Sequence, residues 1–98
     1  MLKKLIMVCG FGVALYACAP ASKTNIDAAK LYKTHCVICH GIDGKLGING
    51  AKDLTVSPMT FKERVNNITN GAGTMQAFKD ILSKEEIEAL AKYTLTLK

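Results

Sequence analysis

No stretch of the chain alternates apolar and polar residues over the length of a β-strand, which excludes a sheet and leaves helices joined by loops. A zinc site begun by Cys36 and Cys39 has no second C-x-x-C and no H-x-x-x-H to complete it. Gly44-Lys45-Leu46 lacks the spacing and the hydroxyl of a phosphate-binding loop. Charge is also modest: the formal net is +5, of which Lys3 and Lys4 supply two, and the remaining lysines are scattered. That excludes a nucleic-acid-binding surface. The apolar run from Leu5 to Ala17 is shorter than the roughly 20 residues that span a bilayer.

What is present starts with that run. Two lysines, an apolar stretch and then small residues form the layout of an export signal, here residues 1–17. An uncleaved anchor is the competing reading. Leu15-Tyr16-Ala17-Cys18 resembles the bacterial lipoprotein box, in which the cysteine receives lipid and becomes the first mature residue. A cut after Ala19 would instead leave Pro20 first, which signal cleavage rarely tolerates. Residues 18–25 then form a tether and 26–98 the folded domain. About 80 residues remain after cleavage, a size at which an apolar core alone is barely sufficient and a staple, metal or cofactor is expected.

Within the domain three helices are legible. Thr24-Asn25-Ile26-Asp27 supplies capping side chains for a first helix running through Leu31 and Tyr32 to His40. Gly41, Gly44, Gly47 and Gly50 then interrupt helical structure. Thr60 and Glu63 form a capping box for a second helix, with Phe61, Val65 and Ile68 on one face and Gly71 as its stop. Ser83 and Glu86 form another, with Leu82 and Ile87 as a hydrophobic staple. The helix so opened, Lys84 to Leu97, carries a stripe of Ile87, Leu90, Ala91 and Thr94 that Tyr93 and Leu97 widen.

The most concentrated chemistry is "HCVICHG", His35 to Gly41. Cys36, Cys39 and His40 stand at i, i+3 and i+4, so a helix presents all three on one face. A thioredoxin-like redox pair would need a strand leading into the motif, and the residues before Cys36 read as helix. C-x-x-C-H is the signature of covalent haem attachment: two thiols add across the haem vinyl groups, and the imidazole binds iron. With Cys9 in the signal, Cys18 assigned to lipid and the other two to haem, no structural disulfide is left. His35 points about 100° from Cys36 on a straight helix and reads as a surface residue.

From Ile26 to Lys98 the chain resembles the small single-haem class I c-type cytochromes of bacteria. The resemblance is carried by Tyr32, "CVICHG", "GIDGKLGING", "NGAGTMQAF" and "LSKEEIEALAKYTLTL". It implies an all-α cytochrome c fold of about three main helices wrapped around one covalently attached haem c. Cys36 and Cys39 would hold the haem, with His40 and a loop methionine as axial ligands. The family usually places proline after that methionine; here Gln76 stands there.

Met75, in the loop after Asn70-Gly71-Ala72-Gly73, is the favoured second ligand, and Met59 the alternative, read otherwise as a packing residue. Tyr32, Phe61, Phe78 and Tyr93 read as core or haem-packing aromatics. With both axial positions filled, the iron passes electrons and has no open site for substrate. The expected function is therefore one-electron transfer between membrane-associated redox proteins. The alternatives are a haem c subunit of a larger oxidoreductase complex, or a haem enzyme or gas-binding protein whose methionine dissociates. The expected location is the periplasmic side of the membrane, anchored by lipid at Cys18, or else the soluble periplasm.

Overall fold

The computed structural model describes residues 25–98; residues 1–17, Cys18 and all of the tether except Asn25 lie outside them. Asp27 opens α1 (Ala28–His35) in an extended conformation, its carboxylate accepting from the Lys30 amide at 3.1 Å. The sequence predicts one helix to His40, but the structure interrupts it at Cys36 (φ −114°, ψ −28°) before α2 (Val37–His40) resumes for a single turn. Local chemistry accounts for the break. The Thr34 hydroxyl donates back to the Lys30 carbonyl at 3.0 Å, a contact that bends helices. The β-branched Val37 and Ile38 come next, with restricted side-chain rotation. Hydrogen bonds cross the interruption, from the Cys36 amide to the Tyr32 carbonyl and from the His40 amide to the Cys36 carbonyl, both 2.9 Å.

After α2 the glycine-rich stretch forms turns and one short 3-10 segment, Ile48–Gly50. α3 (Phe61–Asn70) and α4 (Lys84–Leu95) both begin with complete capping boxes. In the first, the Glu63 amide donates to the Thr60 hydroxyl oxygen at 3.1 Å, and the Thr60 amide to the Glu63 carboxylate at 2.9 Å. In the second, the Glu86 amide donates to Ser83 at 3.0 Å, and the Ser83 amide to Glu86 at 2.8 Å. Each N-cap contributes about 1 kcal/mol. α4 ends two residues before Leu97, where the Thr96 amide turns back to the Tyr93 carbonyl at 2.9 Å.

α4 packs on both α1 and α3. Between them lie the buried apolar side chains Tyr32, Ile68, Phe78, Leu82, Ile87, Leu90 and Ala91. Burying one Leu or Ile stabilises by about 1.5–3 kcal/mol. The Tyr32 ring meets Tyr93 with centroids 5.2 Å apart, and its hydroxyl donates to the Gly41 carbonyl at 2.6 Å. Burial pushes that phenol up to about 12, with smaller contributions from Cys36, Tyr93 and Asp43, so it remains a neutral donor. The stripe expected on α3 is shifted by one step. Ile68 is buried, but Phe61 is 37 % exposed and Arg64 takes the inward position a turn before Ile68. Three neutral oxygens near the α3–α4 junction hold the guanidinium there, which hydropathy alone does not register.

The end of α3 sets the geometry of the turn beyond it. Gly71 (φ 80°, ψ 167°) occupies a region essentially confined to glycine, and its amide donates to the Asn67 carbonyl at 2.8 Å. A Cβ on Gly71 would lie 2.7 Å from the Met75 carbonyl oxygen. Gly71→Ala is therefore expected to destabilise the domain by about 2 kcal/mol or more through strain and that clash. For a domain this size, thermal unfolding should show the melting temperature falling by about 8 °C or more. An unchanged melting temperature would mean the turn has another accessible geometry.

Candidate functional site

Bending the chain at Cys36 and closing the turn after α3 leaves a partly open hollow of about 670 Å³ between α2, the 3-10 segment and that turn. Cys36 reaches it from the break between α1 and α2, Cys39 and His40 from α2, Met75 from the turn after α3, and Met59 from the segment before α3. The attachment cysteines, the imidazole and both candidate methionines thus border one space; Cys18 lies outside the described residues.

His40 is oriented by backbone. Its Nδ1 is 3.0 Å from the Lys52 carbonyl oxygen. A carbonyl only accepts, so Nδ1 carries the proton and Nε2 keeps its lone pair for a metal. The Leu46 amide donates to the His40 carbonyl at 2.9 Å, tying the glycine-rich turns beneath the imidazole. The Lys52 contact is invisible to sequence inspection, because a main-chain carbonyl has no side-chain signature.

Cys36 and Cys39 are both free thiols and half-buried. Burial pushes the Cys36 thiol up to about 11. That is the reverse of what an attacking redox cysteine needs, since those are activated by a lowered pKa. A C-x-x-C oxidoreductase is thereby disfavoured on electrostatic as well as topological grounds.

Met75 sits in a tight turn. The Ala72 amide donates to the Met75 carbonyl at 3.1 Å and the Met75 amide to the Ala72 carbonyl at 2.9 Å. The Thr74 hydroxyl donates to the Asn49 carbonyl at 2.9 Å, linking this turn to the 3-10 segment on the other side of the chain. These bonds supply the stiffness that a proline at position 76 would otherwise give. Met59 is engaged differently: its thioether accepts from the Asn67 side-chain amide at 3.5 Å. A sulfur so occupied suits a packing residue better than a ligand.

His35 departs from its expected surface position. Its ring is half-buried and meets Phe78 edge-on, with centroids 5.6 Å apart, at the rim of the hollow. Because the helix is broken at Cys36, the 100° spacing of a straight helix does not carry across to α2.

The donor set and the space together fit a haem. Two thiols stand beside an imidazole whose outer nitrogen is free, a thioether comes from a separate segment, and Ile38 and Ile48, 78 % and 46 % exposed, offer apolar surface for the macrocycle to cover. When bound, the haem supplies an iron that cycles between two oxidation states one electron apart. The chain's own residues do the rest. His40, held by the Lys52 carbonyl, would present Nε2, and the turn at Ala72–Met75 would present a weakly donating sulfur, which favours the reduced state.

Comparison with known proteins agrees with this chemistry. The family described as "Cytochrome C oxidase, cbb3-type, subunit III" matches residues 24–93. Cytochrome c6 of Leptolyngbya boryana is 38 % identical over 78 residues, covering 70 % of this chain and 91 % of that protein. Among solved structures, the KustC0563 c-type cytochrome superposes with a TM-score of 0.68 at 30 % identity, over 74 % of this chain and 99 % of the other. Cytochrome c6C from Synechococcus sp. PCC 7002 does so with a TM-score of 0.61 at 32 % identity, over 69 % and 89 %.

The two methionines make distinguishable forecasts. Thioether ligation of ferric haem gives a weak sulfur-to-iron charge-transfer band in the far red. The holoprotein should show it, and its reduced form should exclude carbon monoxide. Met75→Ala should lose the band and admit carbon monoxide, while Met59→Ala keeps wild-type behaviour. The opposite pattern would make Met59 the ligand.

Proposed function

The chain belongs to the small c-type cytochromes, electron-transfer proteins with covalently bound haem c, and on that premise we propose that it carries single electrons on a haem held by Cys36 and Cys39, with His40 and Met75 as axial ligands. The observation that carries this reading is the meeting of His40, already oriented by the Lys52 carbonyl, with Met75 in one hollow of about 670 Å³. With both axial positions supplied by the chain, no coordination site is left for a substrate, so the protein exchanges electrons rather than transforming molecules.

The same module serves a free carrier and a subunit of an oxidoreductase complex. The carrier reading is favoured by the relatives that match this chain over most of their own length. The chain is exported and held on the periplasmic side by lipid on Cys18. From there residues 19–25 reach at most about 25 Å at extended-chain spacing, which keeps the haem domain close to membrane-bound partners. Among the described residues no helix is long and apolar enough to cross a membrane.

Partners meet the domain at the rim of the hollow. Lys33, Lys45, Lys52 and Lys79 are all exposed on segments around it, whereas Glu85, Glu86 and Glu88 gather on α4. Glu88 pairs with Lys84 there at 3.3 Å. This asymmetry turns the haem-bearing side towards an acidic partner and speeds encounter more than it tightens binding.

Two measurements on the whole exported protein test the proposal. Fractionation should find haem protein with the membrane and Cys18→Ser in the soluble fraction or unmatured; identical fractionation would favour an uncleaved anchor. Electron transfer to a native membrane partner should slow as salt rises, because the Debye length is only about 10 Å at 0.1 M. Replacing Lys33, Lys45 and Lys79 by glutamine should lower the low-salt rate and flatten that dependence. A wild-type rate independent of salt would leave an uncharged contact as the docking surface.

A further inference from the structure

Arg64 lies at the junction of α3 with α4 and with the segment before α3, and it is only 6 % exposed. Its Nε donates to the Met59 carbonyl at 2.9 Å, Nη2 to the Ser57 carbonyl at 3.0 Å and Nη1 to the Thr94 hydroxyl oxygen at 3.1 Å. All three acceptors are neutral. Among the described residues the ion pair is Lys84–Glu88, on the outer surface of α4, so no side-chain carboxylate of those residues pairs with the guanidinium. Arginine does not release its proton in proteins. The domain therefore holds a full positive charge inside itself.

That charge borders the site. Arg64 lines a second hollow of about 80 Å³ together with Cys36, His40, Asn67 and Met75, residues that also line the larger one. A buried cation without a counter-charge is unfavourable against an apolar side chain of similar size, and the neutral bonds to Ser57, Met59 and Thr94 recover only part of that cost. Surface lysines at the rim are screened by salt, but a charge in this position is screened far less.

We propose that Arg64 is a residue that sets the reduction potential of the haem. Ferric haem carries one more positive charge than ferrous haem. A fixed guanidinium in the buried wall of the adjoining small hollow, which His40 and Met75 also line, therefore raises the free energy of the oxidised state more than that of the reduced state. Its three hydrogen bonds hold the charge in place, and they also fasten the Ser57–Met59 segment to α4 through Thr94. At an effective dielectric near 20, a unit charge at a separation of about 12 Å shifts the ferric-to-ferrous ratio by about tenfold. For a one-electron couple that is about 59 mV. The inference rests on the proposed haem site, and the two fail separately: absence of covalent haem would sink the site, whereas an unchanged potential in a loaded, Met-ligated variant would sink only the role of Arg64.

The experiment is equilibrium redox titration of the holoprotein at low and high salt, for the wild type, Arg64→Met, Arg64→Gln and Arg64→Lys. Replacing a buried charge by an apolar side chain of similar volume is frequently neutral or stabilising, so Arg64→Met is expected to load haem and keep the far-red band. The Met and Gln variants should show potentials about 59 mV lower at both salt concentrations, and Arg64→Lys, which keeps the charge, should stay near the wild type. A potential unchanged in a Met or Gln variant that keeps the band overturns the proposal. So does a loss of the band in both of those variants with Lys normal, because the charge is then a folding requirement. If Lys lowers the potential as far as Met does even at a pH acidic enough to keep its amine protonated, the hydrogen-bond geometry matters and the charge does not, and the proposal fails in that case too.

Discussion

A hollow of about 670 Å³ inside a domain with seven buried apolar side chains among its described residues is the constraint on which the rest depends. A core that small does not readily offset the chain entropy of some seventy ordered residues. The helices meet each other along α4, but the 3-10 segment and the turn carrying Met75 border the hollow. A planar, largely apolar group in that space completes the core and joins the segments, so the cofactor is part of the fold as well as the seat of the chemistry. Covalent attachment through Cys36 and Cys39 would make that arrangement permanent.

The site is preorganised by hydrogen bonds to the main chain. His40 is aimed by the Lys52 carbonyl, Met75 by its pairing with Ala72 and by the Thr74–Asn49 bond, and the segment carrying Met59 by Arg64. An electron carrier benefits from such rigidity, because a site that keeps its geometry in both oxidation states needs little rearrangement when the electron moves. The cost is a buried guanidinium.

Much of this was legible in the sequence because it depends on local rules. Capping boxes at Thr60 and Ser83, the stop at Gly71 and the stripe on α4 are set by residues within one turn of each other, and they appear where expected. The C-x-x-C-H spacing likewise places three side chains on one space. What sequence inspection missed depends on distant partners. The break at Cys36 moved His35 from the surface to the rim against Phe78, and Arg64 displaced Phe61 from the inward face because its acceptors come from residues 57, 59 and 94. The Lys52 carbonyl that orients His40 has no signature at all in one-letter code.

The central claim is that the hollow holds a haem bonded to the chain itself. It is tested most directly by unfolding the holoprotein, produced with haem-attachment machinery, in acidified organic solvent and asking where the haem goes. Haem absorbance should remain with the denatured polypeptide, with one thioether at Cys36 and one at Cys39. That retention should survive substitution of either cysteine alone and vanish when both are replaced. Haem that extracts freely from the unfolded wild type, or a chain that acquires none, would contradict it.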